Sequence, residues 1–184
     1  QAVVFRSLGP EHPQYLWVTS GLGEQAALIG DFEAAERYFD QAIAGLERSN
    51  DAPAEFLVSA IEGLASCRAE TGRLAEARAL YERALALGET RLGPDHPRVV
   101  EILVQLGDVF RRQGALGVAG TAYGRAMQFR EKGFGRDKAY AEILFAFADL
   151  RAEEGRFREA LALFRRAVGI LGSSGEPGGP GAAG

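Results

Sequence analysis

One arrangement of apolar, small and polar positions returns four times along this chain. A glycine is followed two residues later by a large apolar residue, then by Ala, an aromatic and Ala at fixed steps. The copies are Gly30, Phe32, Ala35, Phe39, Ala42; Gly72, Leu74, Ala77, Tyr81, Ala84; Gly114, Leu116, Ala119, Tyr123, Ala126; and Gly155, Phe157, Ala160, Phe164, Ala167. The glycines are 42, 42 and 41 residues apart. Seven residues before each stands a small residue, Gly23, Ala65, Gly107 or Ala148, preceded by Leu22, Leu64, Leu106 or Phe147. Ala, aromatic and Ala, four and then three residues apart, share one helical face. Small residues there let a partner helix approach, and the aromatic fills the remaining gap. Glycine takes the left-handed backbone that a tight helix end needs. Each copy therefore predicts an antiparallel pair, helix A and then helix B.

The junctions carry their own signals. Leu8-Gly9-Pro10-Glu11-His12-Pro13 and Leu92-Gly93-Pro94-Asp95-His96-Pro97 lie 84 residues apart, two periods. The first proline stops a helix and the second suits the first turn of the next. The third junction reads Phe134-Gly135-Arg136-Asp137-Lys138, and the one between copies one and two has drifted to Ser49-Asn50-Asp51-Ala52-Pro53. The expected helices cover 14–29, 32–48, 54–71, 74–91, 97–113, 116–132, 138–154 and 157–171. Residues 1–7 read as the end of a truncated preceding repeat, 8–171 as four helix pairs, and 172–184 as a disordered Gly/Pro-rich tail. Gln1 opens the chain without an initiator methionine, which suggests a fragment or a processed boundary. No pair can bury its apolar face alone, so the pairs should stack into an all-α solenoid. Gly117, Gly120 and Gly124 all fall in the third B helix. They mark either a close neighbour or a soft point.

Composition narrows the function. The 184 residues include 31 Ala and 19 Arg against 2 Lys, with 47% hydrophobic and 25% charged residues. That suits a helical, folded chain. The net charge of −4 argues against non-specific nucleic-acid binding. Cys67 is the one cysteine, so neither an internal disulfide nor a Cys-rich zinc site can form. No apolar run is long enough to cross a membrane. His12 and His96, the two histidines, occupy equivalent junctions and read as helix-start residues, not metal ligands. Cys67 reads as a small buried hydrophobe. Glu153 and Glu154 lie in a polar turn without a nucleophile, and no phosphate-binding loop is present. No catalytic, cofactor or metal site is expected.

These repeats resemble tetratricopeptide (TPR) repeats, in which small–aromatic–small signatures sit on two antiparallel helices. The eight residues beyond the usual 34 equal about two extra helical turns per repeat. With the LG-P-[DE]-HP junction, they are similar to the long repeats of kinesin light chains, also common in bacterial multidomain regulators. The resemblance implies a right-handed superhelix whose concave groove is lined by helix A, at the second, fifth, ninth and twelfth residue of each repeat. Counted from Leu16, Val58, Val100 and Ala141, these are Trp17, Ser20, Glu24 and Ala27; Ser59, Glu62, Ser66 and Ala69; Glu101, Val104, Asp108 and Arg111; and Glu142, Phe145, Asp149 and Ala152. Six are carboxylates and one is Arg. The resemblance thus implies an acidic groove with apolar anchors at Trp17, Val104 and Phe145. Trp17 could equally cover a neighbouring repeat, and the charges could simply be solvated. Carboxylates at four of the eight fifth and ninth positions disfavour a C-terminal carboxylate as ligand. The paired Asn of kinesin light chains is absent at Ser20-Gly21, Glu62-Gly63, Val104-Gln105 and Phe145-Ala146, so that cargo mode does not transfer.

The expected function is a non-catalytic scaffold that binds a protein or peptide with basic and bulky apolar residues. Two alternatives stay open: a regulatory segment of a larger bacterial signalling kinase or ATPase, and self-association through the N-terminal edge. Absence of a leader and a single unpaired cysteine point to the cytoplasm.

Overall fold

A computed structural model describes residues 9–49, 51–133 and 135–173. The expected helix remnant at residues 1–7 and the tail from residue 174 lie outside these. Eight α-helices follow one another among the described residues, with no strand: α1 (Pro13–Leu28), α2 (Phe32–Arg48), α3 (Ala54–Glu70), α4 (Leu74–Arg91), α5 (Pro97–Arg112), α6 (Leu116–Gly133), α7 (Lys138–Glu153) and α8 (Phe157–Ser173). Their bounds lie within two residues of the expected ones; the last helix runs on to Ser173, because glycine tolerates ordinary helical backbone as readily as the left-handed form.

The four signature glycines turn the chain as the pattern requires. Gly30, Gly72, Gly114 and Gly155 have φ between 75° and 82°. Each closes the A helix with the same two bonds. In repeat one, Asp31 N donates to Ala26 O and Gly30 N to Ala27 O; in repeat four, Arg156 N donates to Arg151 O and Gly155 N to Ala152 O. This is the Schellman arrangement, which satisfies carbonyls a helix end would leave bare. At the opposite ends, His12 Nδ1 accepts from Gln14 N and His96 Nδ1 from Arg98 N, each at 3.2 Å. Both histidines are thus N-caps, each followed by proline in the first turn.

Each A helix packs on its own B helix, each B helix on the next A helix, and successive A helices touch more lightly. The aromatic of the signature is the wedge at this three-way meeting. Phe39, Tyr81 and Tyr123 are buried, as are the alanines beside them. Phe39 lies against Gly23 of its own A helix and Gly63 of the next, so close that neither glycine leaves room for a methyl group. Tyr123 fills the place over Gly107 and faces the ring of Phe147 in the following repeat, with ring centres 6.2 Å apart. Its fourth equivalent, Phe164, remains half-exposed, because no described helix lies beyond α8. In α6, a Cβ at Gly117 or Gly124 would meet nothing within 4 Å, whereas one at Gly120 would meet Leu150 at 3.5 Å. The distance at Gly120 is ordinary van der Waals contact, so a close neighbour requires none of the three glycines.

Candidate functional site

Helices α1, α3 and α5 present a continuous hollow. Its first part is lined by Trp17, Ser20, Glu24, Ser59 and Arg98, its middle by Glu24, Ser59, Glu62, Ser66, Tyr81 and Arg98, and its far part by Ser66, Tyr81, Asp108 and Arg111. Shared residues join the three parts. Of the sixteen expected groove positions, nine are brought together here: Trp17, Ser20, Glu24, Ser59, Glu62, Ser66, Ala69, Asp108 and Arg111. Ala27, Glu101, Val104, Glu142, Phe145, Asp149 and Ala152 are not among the residues lining it. Val104 is half-buried and packs into the core. Phe145 packs against Phe164, ring centres 5.8 Å apart and planes tilted by 45°, so this anchor is occupied in packing. Glu142 faces solvent beside Lys138 at 3.8 Å.

Trp17 serves both readings of its position. One side stacks on Phe56 of the next repeat, with centroids 5.8 Å apart and planes 29° apart. The residue nevertheless stays 54% exposed. Ser20 lines the hollow yet is buried at 3% exposure, and its hydroxyl has no hydrogen-bond partner among the described residues.

A further correction concerns charge. Arg98 reaches back from the first turn of α5 across α3, donating to Glu62 Oε2 at 3.0 Å and to Ser59 Oγ at 3.3 Å, with Glu55 at 3.6 Å. The groove is therefore less acidic than a count of its lining positions implies. Arg98 stands two residues before the start of its repeat, outside the counted set. Phe56 holds the same register one period earlier, where it reaches back to Trp17. The 42-residue spacing of these two residues was a legible signal for a position that bridges to the preceding A helix.

The other carboxylates divide sharply. Glu62 is mostly buried, and burial pushes its pKa from 4.5 up to about 7, while the Arg98 hydrogen bond and charge pull it back less strongly. Asp108 accepts from Tyr123 Oη at 2.5 Å and lies 3.8 Å from Arg111 Nε. Burial, then the bond to Asp108, pushes the Tyr123 phenol above its ordinary range. Arg111 also pairs with Glu153 of the next repeat. Glu24, Glu101 and Asp149 are exposed and have no ion pair among the described residues. Glu24 thus remains as an uncompensated charge beside Trp17. Among the described residues, no three His, Cys, Asp or Glu side chains gather as metal ligands. Cys67 is buried and its thiol is pushed up by desolvation. No described helix is long and apolar enough to cross a membrane.

Residues 10–174 match the MalT-like TPR region family. The chain belongs to that family. Among solved structures, this TPR chain is similar to a putative kinesin light chain with nearly identical TPR-like repeats from Podosopora anserina. The TM-score is 0.75 at 18% identity, covering 96% of this chain and 84% of that one. BtubC (BKLC) from P. vanneervenii gives a TM-score of 0.63 at 16% identity, covering 98% and 91%. The apo form of RapI gives 0.76 at 14% identity, covering 88% and 56%. These likenesses concern the fold. No curated protein sequence matches the chain. The TPR array is of the kind used by protein-interaction scaffolds.

Proposed function

We propose that the hollow across α1, α3 and α5 binds a segment of a partner protein, carrying a bulky apolar residue beside a basic one. The observation that supports this is the pairing of exposed Trp17 with Glu24 about two helical turns away, both lining one hollow. The apolar residue would lie on the free face of Trp17, and the basic one on Glu24. Stacked helices hold the surface in place beforehand, so little ordering entropy is lost on binding. No catalytic step is assigned to this chain.

Trp17 is the one tryptophan, so its emission reports directly on the site. Short peptides with a Lys or Arg spaced beside Leu, Phe or Trp, selected for binding on an array, should shift that emission in titration. Glu24→Lys should weaken them about tenfold or more, the scale of losing one favourable charge contact and gaining a repulsive one. Trp17→Ala, read by calorimetry, should do the same. Selected peptides that bind both variants as well as the parent would place recognition elsewhere.

The match to the MalT-like TPR region favours a second reading, that this array is the regulatory segment of a larger signalling enzyme, a kinase or an ATPase. The groove would then take a segment of that enzyme. Binding of the enzyme's other domains by this chain in trans, lost in Glu24→Lys, distinguishes this reading from recruitment of a separate partner.

A further inference from the structure

One carboxylate near the middle of the hollow is largely shut off from water. Glu62 shares that part of the surface with Glu24, Ser59, Tyr81 and Arg98. It has one opposite charge, Arg98 of α5, which it also shares: Glu55 lies 3.6 Å from the same guanidinium. The other titratable groups acting on it are like charges or neutral. They are Glu24 from α1, Glu101 from α5 and the Tyr81 phenol from α4, with Asp108 on the far side of that phenol. On this stretch α2 turns the Phe39 ring toward Gly63, the residue after Glu62. One cation is thus divided among carboxylates, and Glu62 has the least access to water of them. Burial, helped by Glu101 and Glu24, therefore prevails over Arg98 and leaves Glu62 exchanging its proton at about pH 7.

Such a group answers two kinds of ligand in opposite ways. An uncharged chain laid over the hollow takes more water from Glu62 and favours its protonated form. A positive side chain at Glu24 cancels a like charge and adds an opposite one, which favours the carboxylate.

Taking this hollow as the peptide site, we propose that a positive side chain entering beside Glu24 displaces a proton from Glu62, so that the groove holds basic segments more tightly as pH rises through neutrality. The proton passes to solvent, and the negative charge left on Glu62 faces both the incoming cation and Arg98. Linkage then requires the ligand to bind more tightly to the form that has already lost the proton.

One test needs no ligand. In a chain with isotope-labelled glutamate carboxyls, nuclear magnetic resonance should show one carboxyl with a midpoint near pH 7, missing from Glu62→Gln. Glu24→Lys sets a fixed cation where the ligand's would sit, and should lower that midpoint by about one pH unit. A midpoint that stays in place overturns the coupling, whatever peptides do. The second test uses an array-selected peptide whose basic residue is Arg, titrated by calorimetry in phosphate and in imidazole, buffers of different ionisation enthalpy. At about pH 6.5 roughly half a proton should leave per peptide bound, and Kd should tighten about fivefold from about pH 6 to about pH 8. Glu62→Gln, which keeps an acceptor for Arg98, should bind without proton release or pH dependence over that range. The same peptide with norleucine for Arg should release none. Binding without release, or equal release from Glu62→Gln, overturns the proposal and leaves the peptide site standing. Failure of every peptide to perturb Trp17 removes the site, and the proposal with it.

Discussion

Gly107 and Gly124 stand in adjoining helices of the same repeat and have opposite surroundings. A methyl group on Gly107 would come within 2.6 Å of the Tyr123 ring, which is buried and held by Asp108. Gly107→Ala should cost about 1–3 kcal/mol, the range for overpacking a tight core. Gly124 has open space, and Gly124→Ala should stabilise by up to about 1 kcal/mol through helix propensity alone. Urea unfolding of both variants gives the two signs directly. The same comparison addresses the softness expected of α6. If its glycines weaken it, amide exchange along α6 slows in Gly124→Ala. Glu62 supplies a prediction of another type. Its pKa in the folded chain lies near 7, above the ordinary 4.5, so the folded state holds a proton that the unfolded state releases. Its contribution to stability is present below pH 4.5 and is lost as pH rises through 7. Unfolding free energy measured from pH 4.5 to 8 should fall over that interval, and Glu62→Gln should flatten the fall.

At the level of elements, the chain announces most of its helices. The Ala–aromatic–Ala spacing defines the buried face of each B helix, and the glycine after each A helix takes the left-handed backbone predicted for it. The His-Pro junctions cap α1 and α5 as their chemistry suggests. The site was less legible. A fixed set of helix positions identifies which side chains lean toward the groove, but not which neighbours neutralise or cover them. Ser20 is covered and Phe145 is held by Phe164. Arg98, the residue that reshapes the electrostatics, lies outside the positions that the repeat register assigns to the groove. Its side chain spans two helices, and such a reach depends on how far apart the helices pack. Periodicity along one chain does not contain that distance.

Across the whole molecule, every interface between neighbouring B helices carries one Glu–Arg rung in the same register. The rungs are Glu47–Arg83, Glu89–Arg125 at 2.6 Å and Glu131–Arg166 at 3.9 Å. The row of A helices has its own links, Glu62–Arg98 and Arg111–Glu153. The A row holds the one sheltered link. Glu62 and Arg98 are 14% and 29% exposed, whereas Arg111 and Glu153 are 29% and 43% and the side chains of the B row are 32–46% exposed. Mobile ions screen exposed pairs far more than sheltered ones. Raising sodium chloride from about 20 mM to about 500 mM, where the screening length drops to a few ångströms, should loosen one edge of the stack and leave the other tied. Small-angle scattering should register this as a change in radius of gyration at unchanged helicity. The array would then behave as a bimetallic strip does with temperature: two joined layers, unequal in their response, convert a uniform change of medium into bending.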